Sequence, residues 1–131
     1  MQRIMVGYDG SNAGKEALTI AVRQAKAFSA HLFIIRSMTG TSENKVEKLK
    51  DAETDLAWAE SYAREKGVAC EPHLLVRGLR PGEDLIQFAE ENRVELIVVG
   101  IRRRSNVGKM IFGSNAQYII MEAPCPVLTV K

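Results

Sequence analysis

A cluster of glycines and cations between residues 100 and 115 is the stretch of this sequence best suited to chemistry. Its main members are Gly100, Arg102, Arg103, Arg104, Lys109, Gly113, Ser114 and Asn115. Glycines let a ligand approach the backbone closely, N–H groups at a helix N-terminus attract anions, and arginine or lysine neutralises phosphate charge. The spacing predicts an anion-binding loop, and the alternative is a simple helix cap beside a solvated run of arginines.

Two stretches come close to the P-loop pattern that binds nucleoside triphosphates, and neither satisfies it. Gly10 and Gly14 stand one residue too close together, and Glu16 occupies the position of the magnesium-binding hydroxyl residue. Between Arg103 and Met110, an arginine replaces the first glycine and a methionine replaces the final hydroxyl residue. The sequence therefore argues against a P-loop phosphotransferase.

Asp9 follows a short apolar segment and is a second candidate for ligand contact. At the carboxyl end of a strand its side chain would face a crevice, although aspartate is also common as a turn or capping residue before a helix. Tyr8, its neighbour, could stack on a base, while a tyrosine at the end of a strand commonly packs against the core.

Groups suited to catalysis are few and scattered along the chain. The nucleophile candidates are Ser11, Ser114, Cys70 and Cys125, and the only histidines are His31 and His73. No Gly-x-Ser-x-Gly elbow is present, and both histidines fall in predicted strands, so we interpret them as structural. Trp58 and Tyr62, one helical turn apart, are interpreted as packing residues. We expect neither a catalytic centre nor a metal site.

The elements that must position these residues alternate between strand and helix. Apolar patterns predict strands at residues 3–8, 31–35, 68–76, 96–99 and 127–130, with helices at 13–28, 43–66, 81–89 and 114–120. Such alternation predicts an α/β fold, a single-domain open parallel five-stranded sheet with helices on both faces. Pro72 indicates that its strand lies at a sheet edge or contains a bulge, and the run Leu96–Val99 belongs at the centre.

Ligands of such sheets bind beyond the carboxyl ends of the strands, where the strand order reverses. That rule directs attention to the loops Asp9–Asn12, Arg36–Thr41 and Gly100–Ser114. The residues singled out above, Asp9 and the glycine and cation cluster, lie in two of these loops.

Composition limits the class of protein. The chain has 131 residues, of which 46% are hydrophobic and 26% charged, so it should form one domain over residues 1–131. A net charge of +2 gives no general signature of nucleic-acid or membrane-surface binding. No apolar run is long enough to cross a bilayer, and the first residues do not resemble a signal peptide. We therefore expect a cytoplasmic protein with neither nucleic acid nor membrane as a partner.

Taken together, the motifs resemble the universal stress protein family along nearly the whole chain. The family pattern is a strand ending in Asp, then Gly-x2-Gly-x9-Gly-(Ser/Thr), then Ala-Pro-Cys-Pro-Val before the last strand. The matching segments are Val6–Ser11, Gly100 with Gly113-Ser114, and Ala123–Val127. The resemblance implies strand order 3-2-1-4-5. It also implies that Cys70 and Cys125 lie near opposite edges, too far apart for a disulfide.

The ATP-binding branch of that family implies a ligand as well. The implied cofactor is ATP or another adenine nucleotide, with or without Mg²⁺, and the implied contacts are Tyr8, Asp9, Gly100, Gly113, Ser114 and Asn115. The charge of the loop adds Arg102 and Arg103 as candidate contacts to the phosphates. Asp9 and its neighbours would hold the adenine side, while the glycine loop and Ser114 would contact ribose and phosphates. The implied role is a ligand-sensitive regulator or switch in the stress response, with no or very slow ATP hydrolysis.

One residue departs from the family pattern and keeps an alternative open. The second glycine of the motif falls at Arg103, whose side chain could block the phosphate path or supply a charged contact. The rival hypothesis is a nucleotide-free dimerisation and protein-interaction module closed by Arg103. A third, an enzyme acting on a small phosphorylated molecule, is opposed by the missing catalytic base.

The resemblance also implies a homodimer formed through the last strand. Its residues are Val127, Leu128, Thr129 and Val130. This is a hydrophobic edge with Lys131 as its only blunting charge, which favours pairing with a second copy. The regulatory partner is not identified by the sequence.

Overall fold

The computed structural model describes residues 2–40, 44–101 and 113–131, which form alternating strands and helices. The elements are β1 (Arg3–Gly7), α1 (Asn12–Phe28), β2 (His31–Ser37), α2 (Lys45–Glu65), β3 (Cys70–Leu75), α3 (Pro81–Glu91), β4 (Leu96–Gly100), α4 (Ser114–Glu122) and β5 (Val127–Val130). The five strands are parallel, in the order β3-β2-β1-β4-β5. The predicted fold class and strand order are therefore confirmed.

Alternation along the central strands divides the core into two layers. Ile4 and Val6 of β1 are fully buried in a layer with α1 and α2, while Met5 between them is fully buried in a layer with α3 and α4. Because successive side chains of a strand point to opposite faces, a strand that is apolar at every position must be covered on both sides. This accounts for the helices on both faces of the sheet.

The two edge strands agree with the sequence analysis. Pro72 lies in β3 at one edge, in register with Ile34 of β2. Cys70 lies in that same strand, while Cys125 precedes β5 at the opposite edge, and both are free thiols. The predicted separation of the two cysteines is confirmed, and burial raises the pKa of both thiols.

The end of β2 differs from the sequence analysis. The predicted loop begins at Arg36, whereas the strand continues to Ser37, which pairs with Leu75 of β3. Arg36 and Ser37 are polar, but each donates a hydrogen bond to a helical carboxylate instead of to water. Arg36 donates to Asp55 on α2, and Ser37 donates to Asp84 on α3. A pattern based on apolar residues ends the strand too early because it cannot detect such partners.

Two predicted helix boundaries are confirmed by local geometry. Ser11 caps α1, its hydroxyl oxygen accepting the N–H of Gly14 at 3.1 Å. Gly67 follows the end of α2 with φ +81°, a conformation that favours glycine and stops the helix. No helix in the described part of the chain is both long and apolar enough to cross a bilayer.

Candidate functional site

A cavity of about 320 Å³ opens at the carboxyl ends of the central strands. Its wall contains residue 7 at the end of β1, residues 8–9 after it, residues 35–37 of β2 and residues 99–100 of β4, together with the first turns of α1, α3 and α4. The strand order reverses at β1, since the chain passes to β2 on one side and returns to β4 on the other. The cavity is in the size range of small-molecule sites, roughly 300–1,000 Å³, and lies at the predicted edge of the sheet.

Four of the predicted site residues line this cavity. They are Tyr8, Asp9, Gly100 and Asn115. Gly113 and Ser114 are exposed and directly precede Asn115, but they are not part of the wall that the described residues form. Arg102 and Arg103, like the rest of the cationic segment 102–112, lie outside the described residues. Whether Arg103 obstructs or assists a ligand therefore stays a prediction.

Asp9 shapes the turn between β1 and α1. Its Oδ1 accepts hydrogen bonds from the backbone N–H of Ser11 at 3.0 Å and from the Ser11 hydroxyl at 2.5 Å. A Cβ at Gly14 would lie only 2.8 Å from that oxygen, so the turn and the first turn of the helix fit together because residue 14 is glycine. The turn-forming role is present, and ligand contact by the exposed carboxylate stays a prediction.

Tyr8 is packed against the core. Its side chain is 2% exposed, and its ring stacks on Trp58 of α2, with 6.2 Å between ring centroids. Burial raises the pKa of the Tyr8 phenol above its ordinary value, and the negative charges of Asp55 and Asp9 raise it further. The structure favours the packing interpretation of Tyr8, since Trp58 occupies one face of its ring.

Trp58 continues this stack along α2. Its ring lies 5.7 Å from that of Tyr62, and the ammonium of Lys15 lies 5.4 Å from the Trp58 ring centroid. The ring contacts of Trp58 and Tyr62 confirm the packing role predicted for them. Trp58 is nevertheless half exposed, so it is not a core residue.

The packing around Gly100 requires a glycine, whereas the described surroundings of Gly113 do not. A Cβ at Gly100 would collide with the backbone carbonyl of Ala13 at the start of α1. No described atom lies within 4 Å of a Cβ built on Gly113. Gly100 therefore allows β4 to pack against α1, a reason that the sequence analysis did not anticipate, whereas no described neighbour requires glycine at 113.

Asn115 joins α4 to α3 across the cavity. Its side-chain Oδ1 accepts the backbone N–H of Gly82 at 2.9 Å, in the first turn of α3. A Cβ at Gly82 would lie 3.0 Å from the backbone oxygen of Asn115, so the two helices approach closely at this point. The residue predicted as a ligand contact thus also holds the cavity wall together.

A buried carboxylate beside the cavity was missed by the sequence analysis. Asp84 of α3 is fully buried; its Oδ2 accepts the Ser37 hydroxyl at 2.6 Å, and its Oδ1 accepts Nε of Arg77 at 2.6 Å. The spacing of residues along the helix could have predicted its burial. Asp84 lies one turn before the apolar Phe88 and therefore shares its buried face.

A model of the universal stress protein family matches residues 1–131. The chain belongs to the universal stress protein family. A member from Thermus aquaticus is 34% identical over 98% of this chain and 97% of its own length. The structure of an Archaeoglobus fulgidus universal stress protein is 37% identical and covers 100% of this chain and 99% of its own, with a TM-score of 0.91.

A further solved structure of the family contains a bound nucleotide. It is a universal stress protein of Archaeoglobus fulgidus in complex with dAMP. It is 33% identical to this chain and covers 100% of it and 98% of its own chain, with a TM-score of 0.86. That neighbour therefore combines the same fold with an adenine nucleotide.

Both histidines of this family member lie away from the cavity. His31 begins β2 at the opposite end of the sheet, where its Nε2 lies 2.6 Å from Glu71, and His73 packs beside Phe88. These contacts fit the structural interpretation of both histidines. Among the residues that the structure describes, no group of three histidine, cysteine, aspartate or glutamate side chains is arranged to hold a metal ion.

Proposed function

We propose that this protein binds ATP or another adenine nucleotide in the cavity at the carboxyl ends of β1, β2 and β4. The observation that carries the proposal is a cavity at the reversal of strand order, in a chain 33% identical to a family member whose structure is a complex with dAMP. Open α/β sheets bind ligands at this position because loops diverge there and leave a crevice.

The cavity suits both ends of such a ligand. Ile35, Leu85, Val99 and Ile119 supply an apolar wall for a purine, and all four are buried. The N-termini of α1, α3 and α4 face the cavity, and the partial positive charge of a helix N-terminus favours phosphate. We assign the base to the Tyr8–Asp9 side and the phosphates to Gly113 and Ser114 at the start of α4.

The nucleotide acts as a signal in this proposal, with no or very slow hydrolysis. No histidine is found among the described residues that line the cavity, and Asp9 accepts two hydrogen bonds from Ser11. General-base catalysis needs a group within hydrogen-bond reach of the attacking water. A regulatory role in the cytoplasm, with or without Mg²⁺ on the nucleotide, completes the proposal.

Isothermal titration with ATP, ADP and AMP tests the proposal directly. We expect the parent protein to bind at least one of them, and Asp9→Asn, which keeps the turn-forming oxygen but removes the charge, to weaken binding about tenfold. Glu95→Gln, an equal loss of charge before β4 at the opposite end of the sheet, should leave the affinity unchanged. Absence of heat at high micromolar nucleotide in the parent would overturn the proposal.

The closed-site alternative makes a different prediction about Arg103. If its side chain fills the phosphate path, Arg103→Gly should bind ATP strongly while the parent does not. If Arg103 instead supplies a charged contact to the phosphates, the same substitution weakens binding. The titration above therefore separates the two hypotheses with one variant.

We also propose that the protein forms a homodimer through β5. The strand lies at the sheet edge and pairs with β4 on its inner side, and all four of its residues are half-buried. The outer side of an edge strand presents backbone N–H and C=O groups that can pair with another strand. The β5 strand of a second copy would form hydrogen bonds with these groups.

A further inference from the structure

We infer that Ser37 selects purines that carry an amino group on C6, because its hydroxyl can only accept hydrogen bonds from the cavity. The inference rests on the proposed nucleotide-binding function and names a determinant of its specificity. It follows from three observations: where Ser37 lies, where its proton goes, and what holds that proton in place.

Ser37 lies at the end of the cavity assigned to the base. It is the last residue of β2, lines the cavity and is 9% exposed. Gly7 of β1 is in register with Ile35 of the adjacent strand β2. Asp9 comes two residues after Gly7, and Ser37 comes two residues after Ile35, so both lie at the same end of the sheet. A base beside Tyr8 and Asp9 would therefore lie next to the Ser37 hydroxyl.

The single proton of that hydroxyl is directed away from the cavity. Ser37 Oγ donates it to Oδ2 of Asp84 over 2.6 Å, and the other carboxylate oxygen of Asp84 accepts Nε of Arg77. A carboxylate paired with a guanidinium accepts hydrogen bonds and has no proton to give. The lone pairs of Ser37 Oγ are consequently what this side chain can offer to a ligand.

The arrangement is held by a second set of contacts on Arg77. Its guanidinium also donates to the backbone oxygen of Asp84 at 3.2 Å and to Glu91 at 3.0 Å. Asp84 is fully buried, so rotation of the Ser37 hydroxyl toward the cavity would leave a carboxylate oxygen without that bond. The cost of leaving a buried carboxylate oxygen without a hydrogen bond keeps the hydroxyl an acceptor toward the cavity.

An acceptor at this point distinguishes purines by the group on C6. Adenine carries an amino group there, which donates; hypoxanthine carries a carbonyl oxygen, which would meet Ser37 Oγ as acceptor against acceptor. Unsubstituted purine carries hydrogen and does neither. We expect the affinity to fall in the order ATP, purine riboside triphosphate, ITP.

The test is a titration of parent and Ser37→Ala with these three nucleotides. In the parent we expect ATP to bind about fivefold more tightly than purine riboside triphosphate and at least about tenfold more tightly than ITP. Ser37→Ala should remove the preference for ATP over purine riboside triphosphate while leaving the affinity for the latter nearly unchanged. Ser37→Thr should restore the preference. Thr54→Ala on α2, whose hydroxyl bonds to Lys50, is the control and should match the parent.

The possible failures are distinguishable. If the parent binds none of the three nucleotides, the proposed function is overturned and this inference with it. If the parent binds ATP but Ser37→Ala keeps the same ratio between ATP and purine riboside triphosphate, only the inference on Ser37 is overturned.

Asp84→Asn tests the positioning role of the carboxylate. An amide at residue 84 can donate its N–H to Ser37 Oγ, which releases the hydroxyl proton toward the cavity. The preference between ATP and ITP should then shift toward ITP by about fivefold or more, an effect that mere loosening of the fold would not produce. Circular dichroism confirms that the variant is folded, and an unchanged ratio in a folded variant would contradict the inference. Should the variant not fold, Ser37→Ala alone decides.

Discussion

At the scale of single residues, the cavity wall consists of side chains that also serve the structure. Asp9 shapes the first turn, and Asn115 fastens α4 to α3. Gly100 permits a close backbone contact with Ala13. Residue type alone therefore does not separate a binding role from a structural one, and variants at such positions must be judged by folding and binding together.

Gly100 and Gly113 allow a matched comparison of this kind. We expect Gly100→Ser to lower the free energy of unfolding by about 1–3 kcal/mol, because its Cβ would collide with the Ala13 carbonyl. Gly113→Ser, at an extended N-cap position with no described atom within 4 Å of the new Cβ, should leave stability unchanged or slightly raise it. Urea unfolding measures both, and equal losses would contradict the packing explanation for Gly100.

Tyr8 makes stability depend on pH in the alkaline range. Its pKa is raised in the folded state, chiefly by burial, so the folded protein holds this proton more tightly than the unfolded chain. The stabilisation is complete below the ordinary pKa of 10.0 and is lost as the pH rises through the folded-state value. The free energy of unfolding of the parent should therefore fall relative to that of Tyr8→Phe above this pH. A constant difference between the two proteins would refute the effect.

At the scale of elements, the site depends on where helices begin. The cavity wall includes the first turns of α1, α3 and α4, and a particular residue helps to fix each of these turns. Ser11 caps α1, Pro81 is the first residue of α3, and Asn115 in α4 accepts an N–H from the start of α3. Replacing one of these residues should loosen the part of the cavity wall that it fixes.

Ser11→Ala tests the contribution of the helix cap of α1. The substitution removes the acceptor for the Gly14 N–H and the donor to Asp9, and we expect the free energy of unfolding to fall by about 1 kcal/mol. Thr19→Ala in the same helix, where an exposed hydroxyl donates to the Lys15 carbonyl, should change it by less than about 0.5 kcal/mol. Chemical denaturation of both variants gives the comparison; a Ser11→Ala variant as stable as the parent would show that the cap contributes nothing.

At the scale of the whole molecule, the sheet is protected at one edge and open at the other. Pro72 interrupts the donors of β3, whereas β5 contains no proline. The carbonyl of Pro126, just before β5, accepts the N–H of Ile97 in β4, and the carbonyl of Val130 accepts the N–H of Ile101, just after β4. Alternate residues along β5 therefore face β4. Thr129, between them, directs its N–H toward the open edge.

Thr129→Pro should therefore abolish the proposed dimer without breaking the pairing of β5 with β4. Proline removes the outward N–H, which an added strand would need. Thr129→Ala keeps that N–H and should remain dimeric. Analytical ultracentrifugation of the parent and both variants measures the oligomeric state; a monomeric parent, or a dimer that survives the proline, would contradict pairing through β5.

Much of the fold was predictable because its signals are local. Apolar runs marked five strands, the apolar spacing of α1 marked a helix, and Pro72 marked an edge. The end of β2 was not predictable in this way, since Arg36 and Ser37 remain in the strand by pairing with Asp55 and Asp84, residues distant along the chain.

The sequence by itself determined the alternation of elements, the parallel sheet that follows from it and, through its motifs, the family. Only the tertiary structure decided which polar residues meet at the cavity, because the Ser37–Asp84 contact joins residues separated by 47 positions. Side chains so far apart in the chain are brought together by the packing of α3 on the sheet. The direction of a single hydroxyl proton, and with it the proposed selectivity, depends on that packing.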